Sequence, residues 1–167
     1  MQKKQDVSVL QTNGSGVLSF AGVSASAGQV IQVITATDST TRSTTSASFV
    51  TASNTLSVSI TPSSASNKIF VIVSVATSIQ SVGTSMFSTI YRDSTNLGTA
   101  NGMGEIQTAS ADDGGNSSFF GGNYLDSPAT TSSTTYQFYF KRGAGGNSAV
   151  MNYDSTRSSI TVFEIKG

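Results

Sequence analysis

Period-two alternation of apolar residues with Ser and Thr restricts the fold of this chain more than any other feature. In Thr55-Leu56-Ser57-Val58-Ser59-Ile60 every second residue is apolar, which puts Leu56, Val58 and Ile60 on one face of an extended strand. The same pattern predicts strands over residues 29–37, 47–51, 68–76, 85–92, 117–125, 135–141, 148–153 and 159–165. Apolar spacing of three and four is never sustained. Ser and Thr, roughly a third of the residues, compete for backbone hydrogen bonds inside helices. Eight or more short strands separated by turn clusters predict an all-β chain, an antiparallel β-sandwich of jelly-roll-like form.

Composition says what such a sandwich is made of. The 167 residues suit one domain, and a chain of that length buries about 70% of its unfolded surface. Apolar residues make up 37% and charged residues only 11%, about half the usual share. Hydroxyls therefore occupy the outward positions that Lys and Glu ordinarily fill. With no His and no Cys, a Ser-His-Asp triad, a thiol nucleophile, a disulfide framework and the common zinc sites are all excluded. Nine basic residues balance nine acidic ones, so no nucleic-acid surface is expected. The longest apolar run, residues 69–73, is far below the ~20 residues of a membrane span. Residues 1–10 lack the apolar core of a signal peptide, so membrane insertion and processing are not expected either.

Individual strands carry more information. Residues 68–76 begin apolar on both faces, which predicts a central strand covered on both sides. The last strand is too apolar for a free edge and belongs at a sheet centre or against another subunit. Its alternation puts Ile160, Val162 and Glu164 on one face and Thr161, Phe163 and Ile165 on the other. A carboxylate beside Ile160 and Val162 needs a partner, for which Arg92 and Arg157 are candidates. Tyr139 is out of phase with Phe138 and Phe140, so it faces solvent, a second sheet or a neighbouring subunit. The aromatic set Phe119, Phe120, Tyr136, Phe138, Tyr139 and Phe140 reads as core packing before it reads as a sugar platform.

Residues 39–46 are an almost wholly hydroxylated loop around Arg42. Residues 98–115 form the longest stretch without strand pattern and are the candidate exposed functional loop. Within it, Asp112 and Asp113 precede Gly114 as a solvated turn. They read as that turn before they read as a glycosidase-like acid–base pair, and their spacing matches no Ca²⁺ loop. No catalytic residue, cofactor or metal is assigned, and the chain is not expected to be an enzyme. The sequons at Asn13 and Asn116 follow from the abundance of Ser.

The first 28 residues differ from the rest. Val7-Ser8-Val9-Leu10 and Val17-Leu18-Ser19-Phe20 flank a polar turn, and residues 21–28 are small and linker-like. Residues 1–28 are thus read as an attachment arm and linker, and residues 29–167 as the jelly-roll-like domain.

Four segments carry a resemblance. Residues 10–20 (Leu-Gln-Thr-Asn-Gly-Ser-Gly-Val-Leu-Ser-Phe) are similar to segments near the ends of tail-fibre-like phage proteins. The run from Ser59 through Thr61-Pro62-Ser63 to Ile69, then Thr89-Ile90-Tyr91-Arg92-Asp93-Ser94-Thr95-Asn96-Leu97-Gly98 and the closing residues 159–165, resembles a β domain of phage virion proteins of the marine and cyanobacterial type. The resemblance implies a non-enzymatic, homotrimeric domain on the outer surface of a virion, made in the host cytoplasm. A short arm with one domain and no repetitive shaft looks like a capsid decoration (cement or head-fibre) protein. Under that reading Lys3, Lys4 and Asp6 make polar contacts with the major capsid protein or another virion protein. Val7, Val9, Leu10, Val17, Leu18 and Phe20 supply the apolar part of the attachment. Ile160, Val162, Glu164, Arg92 and Tyr139 form the expected trimer interface. The alternative is a tail-fibre tip or adhesin domain that binds a host surface glycan.

Overall fold

The computed structural model describes residues 8–12, 18–22, 25–81, 83–108 and 115–167. Strands β1 (Ser8–Thr12) and β2 (Leu18–Gly22) pair with each other as an antiparallel ribbon. Then come β3 (Val30–Asp38), β4 (Arg42–Thr44), β5 (Ser57–Ile60), β6 (Lys68–Ile79), β7 (Ser85–Arg92) and β8 (Thr95–Asn96). They are followed by β9 (Gly104–Gln107), β10 (Asn116–Asp126), β11 (Thr134–Arg142) and β12 (Ala149–Met151). A 3₁₀ turn at Tyr153–Ser155 leads into β13 (Ser158–Ile165). Every pairing is antiparallel, and the strands after the ribbon make two sheets packed face to face. The chain is an all-β antiparallel sandwich of the jelly-roll-like kind that its alternation predicts.

The larger sheet is organised by β6, whose run of Ile and Val favours a pleated, half-buried surface. One edge of β6 pairs with β10 from Ile69↔Asp126 to Ile79↔Asn116. Its other edge is shared by β13 over the first half and β12 over the second. β3 then pairs with β13, and β4 with β12. In the smaller sheet β11 lies between β5 and β7, while β8 and β9 divide the far edge of β7. The C-terminal strand is therefore central, as its apolar character predicts.

The core fills the space between the inner faces. Leu56, Val58 and Ile60 meet Ile69, Val71, Val73, Val75, Tyr136, Phe138, Phe140, Ile160 and Val162 there, all buried. Each such aliphatic or aromatic side chain contributes about 1.5–3 kcal/mol by leaving water. Phe138 and Phe140 stack with centroids 5.8 Å apart, and Phe120 from β10 leans on Phe138 at the same distance.

Four expectations are corrected. The strand expected over 47–51 is reduced to one bridge, Val50↔Phe140. The Ser46 hydroxyl ties to Ser48, and Ala52 and Ser53 turn the chain with positive φ, which ends any extension. The hydroxylated loop over 39–46 contains a strand, because Arg42–Thr44 finds the free edge of β12. In 98–115, residues Gly104–Gln107 are strand β9 on the edge of β7, and Asp112, Asp113 and Gly114 lie outside the described residues. Finally, β6 is central but covered on one face only over its first half, where inward Ile69, Val71 and Val73 alternate with outward Phe70 and Ile72.

Candidate interaction surfaces

The ribbon of β1 and β2 is a sheet of its own. Its register sets Leu10 opposite Phe20 and Val9 opposite Ala21. An isolated two-stranded ribbon is marginal in water and gains stability when a third surface covers it. Of the expected attachment residues, Val9, Leu10, Leu18 and Phe20 lie on this ribbon. Lys3, Lys4, Asp6, Val7 and Val17 lie outside the described residues.

The residues expected at the trimer interface are dispersed. Ile160 and Val162 point into the inter-sheet core and are fully buried within one chain. Glu164 follows them inward and is 2% exposed. Its Oε1 accepts hydrogen bonds from the Ser63 N–H at 2.6 Å, the Ser63 hydroxyl at 2.9 Å and the Asn67 side-chain amide at 2.6 Å. Burial pushes this carboxyl up, but the three donors outweigh it and hold the pKa below the ordinary value. The expected arginine partner is therefore replaced by neutral donors on the turn between β5 and β6. That turn is distant in sequence, and nothing in the strand pattern connects it to Glu164.

Arg92 serves a different carboxylate. Its Nη1 donates to both oxygens of Asp126 at 2.9 and 3.0 Å, and the buried Tyr136 hydroxyl donates to the same group at 2.6 Å. Burial and then the bond to Asp126 push the Tyr136 phenol far up, so it stays a donor. At the opposite end of the large sheet Asp38 accepts from the Thr55 and Thr40 N–H groups and from Arg42 Nε. Burial raises Asp38, but those donors win and its pKa is lowered. These clusters join elements, and each is built on a single carboxylate. Among the described residues, no three acidic side chains lie together where they would hold a metal ion.

Tyr139 lies on the outer face of the smaller sheet. Its ring stacks on Tyr91 with centroids 4.1 Å apart, and Phe49 meets Tyr91 edge-on at 6.2 Å. Lys141 Nζ sits 4.6 Å from the Phe49 centroid and 5.2 Å from that of Phe87, a cation–π arrangement. Of the other aromatic candidates, Tyr136, Phe138 and Phe140 are core, whereas Phe119 is 63% exposed.

The outer face of the larger sheet carries a feature that sequence reasoning missed. Register lines up Val33, Phe163, Phe70 and Leu125 in one row across β3, β13, β6 and β10. Val33 and Leu125 are each 55% exposed, and the next row holds Ile72 at 40%. The signal was the doubly apolar start of β6, which reads equally well as a strand covered by its own chain.

No family model and no curated protein matches the chain. Solved structures of similar fold include infectious bursal disease virus of the Gx strain, at 15% identity and TM-score 0.46 over 94% of this chain and 36% of that one. The VP2 subviral particle of the same virus is similar at 15% identity and TM-score 0.44, over 94% of this chain and 42% of that one. The T=1 particles derived from that virus are similar at 13% identity and TM-score 0.42, over 98% and 42%. The chain thus spans about two-fifths of the length of these structures.

Proposed function

We propose that the chain is a non-enzymatic structural protein of a phage virion. In this reading it is a homotrimeric capsid decoration protein that binds the outer capsid surface through its N-terminal arm. The observation that carries the reading is the separate ribbon of β1 and β2, hydrogen-bonded to neither sheet of the sandwich among the described residues. Such a ribbon supplies two strand edges to a partner, and addition to an exposed sheet edge on the capsid provides both affinity and register. Lys3, Lys4 and Asp6 add polar contacts at the rim, where charge steers approach more than it holds. The sequence resemblance and the scarcity of paired carboxylates point the same way.

The test uses particles from which the protein has been removed. The full chain is expected to sediment with the particles, and a chain lacking residues 1–28 is expected to stay in solution, folded. Particle binding by the shortened chain would overturn the role of the arm.

A second reading, a tail-fibre tip or adhesin that binds a host surface glycan, is favoured by the Phe49, Tyr91 and Tyr139 cluster on the outside of the smaller sheet. It requires that the purified protein block phage adsorption to cells and that Tyr139→Ala remove the block.

A further inference from the structure

We propose that the half of the larger sheet formed by β4, β12, β6 and β10 carries a binding site for a neutral oligosaccharide, built around Tyr153. The site is distinct from the aromatic cluster of the smaller sheet and independent of how the arm attaches.

Register places Ser43, Val150, Ser78 and Ser117 in one outward row, with Ala76 opposite Phe119 in the next. Ala76, Ser78 and Val150 are buried although they alternate outward, because the turn after β12 folds back over them. That turn is held firmly. Asn152 is fully buried, its N–H donates to the Ala76 carbonyl at 2.8 Å, and its side-chain amide donates to the Thr40 carbonyl at 3.1 Å. The Thr41 hydroxyl donates to the Asn152 carbonyl at 2.7 Å. Asn152, Asp154 and Ser155 have φ of 54°, 54° and 58°, so three non-glycine residues within four positions are left-handed. Such strain persists only where the surroundings fix it, and it concentrates at ligand clamps. Its result here is the position of Tyr153, which stands 39% exposed above the row.

Tyr153 divides two hollows. On the β10 side, Tyr153 and the exposed Phe119 are the aromatic walls of a groove with Ala76 at its floor. On the β4 side, Tyr153 borders a hollow of about 450 Å³ lined by Ser43, Gln80, Ser148 and Asp154. That size lies within the roughly 300–1,000 Å³ of small-molecule sites. Among the described residues none of those four side chains has a hydrogen-bond partner, so their donors and acceptors are free for a ligand. The lining sets the ligand class. Aromatic faces suit the C–H side of a pyranose ring, and free hydroxyl, amide and carboxylate groups suit its hydroxyls. A protein partner would meet an apolar, well-packed interface core, whereas this hollow is concave and polar. Among the described residues the one charged side chain lining either hollow is Asp154, which accepts from hydroxyls and repels phosphate, sulfate and carboxylate. A compact cation would use the rings and Asp154 and leave Ser43, Gln80 and Ser148 idle. A run of sugar units passing Tyr153 uses both hollows.

The experiment mixes the full-length protein with neutral oligosaccharides of glucose, galactose, mannose and N-acetylglucosamine at millimolar concentration. Binding is read by ligand-observed NMR and then by titration, with sialylated and sulfated oligosaccharides and choline as comparisons. At least one neutral class is expected to bind. Tyr153→Ala is expected to weaken that binding about tenfold and Gln80→Ala severalfold, while Tyr153→Phe keeps most of it. Tyr153 and Gln80 are both exposed, so far-ultraviolet dichroism is expected to stay unchanged. Tyr139→Ala, in the cluster of the smaller sheet, is expected to leave the binding as it was. The proposal is overturned if no neutral oligosaccharide binds, or if only an acidic one or choline does. Neutral-glycan binding that survives both Tyr153→Ala and Gln80→Ala overturns the site, and its loss in Tyr139→Ala would move the site to the smaller sheet. Tyr153→Ala is expected to sediment with stripped particles as wild type does, because the arm makes that contact. The glycan site and the capsid reading therefore stand or fall separately.

Discussion

Glu164 is a buried carboxylate held by neutral donors, and that has two measurable consequences. Glu164→Ala removes the acceptor shared by the Ser63 N–H, the Ser63 hydroxyl and the buried Asn67 amide, at a cost of about 2 kcal/mol, which a denaturant titration will register. The second consequence is a pH dependence shared with Asp38. Both have folded pKa values below their ordinary ones, so their contribution to stability is complete above the usual carboxylate range near pH 4. It is lost as pH falls through the lower folded values. Melting temperature is therefore expected to be flat from pH 7 to about 5 and to fall below pH 4, and Glu164→Gln should lessen the fall. In the Asp126 cluster, Tyr136→Phe removes one of three bonds and is expected to cost about 1 kcal/mol, measured the same way. Asp126 escaped notice in the sequence because its partners Arg92 and Tyr136 are 34 and 10 residues away, on strands of the other sheet.

At the scale of elements, strand alternation located the core strands closely, and β7 over Ser85–Arg92 matches its expected bounds. Period two works here because each core strand has one buried face, so the pattern is written in every second residue. It fails for β4 and β9, which are short, polar and held by a neighbour's free edge rather than by an apolar face. Asn101-Gly102 is a tight-turn dipeptide in the sequence. Gly102 has φ +77°, and a Cβ built there would lie 2.5 Å from the Ser88 carbonyl oxygen. Gly102→Ala is thus expected to destabilise the fold by about 2 kcal/mol, visible as a lowered melting temperature. In the core, Phe138→Ala removes the ring between Phe120 and Phe140 and is expected to cost about 3–5 kcal/mol by denaturant unfolding.

For the whole molecule, the two sheets differ in what they present outward. The smaller sheet shows an aromatic cluster whose rings largely cover one another, with Lys141 above Phe49 and Phe87. The larger sheet shows uncovered aliphatic and aromatic side chains in register across four strands. Covered rings suit rigidity, and uncovered ones suit contact. A sandwich with hydroxyls over most of its surface repels neighbouring copies little, which fits crowding in many copies on a particle.

The sequence by itself determined the class of fold, the inward face of the cleanly alternating strands such as residues 55–60, and the exclusion of His- and Cys-based chemistry. All of these follow from local period and composition, which a strand carries in its own residues. Tertiary structure decided which face of β13 remains open, that Glu164 is satisfied by Ser63 and Asn67, and that Arg92 belongs to Asp126. It also decided that Val33, Phe163, Phe70 and Leu125 stand in one row. Those facts depend on which strands become neighbours and in what register, and register is set by pairing across the chain, where no single segment carries the information.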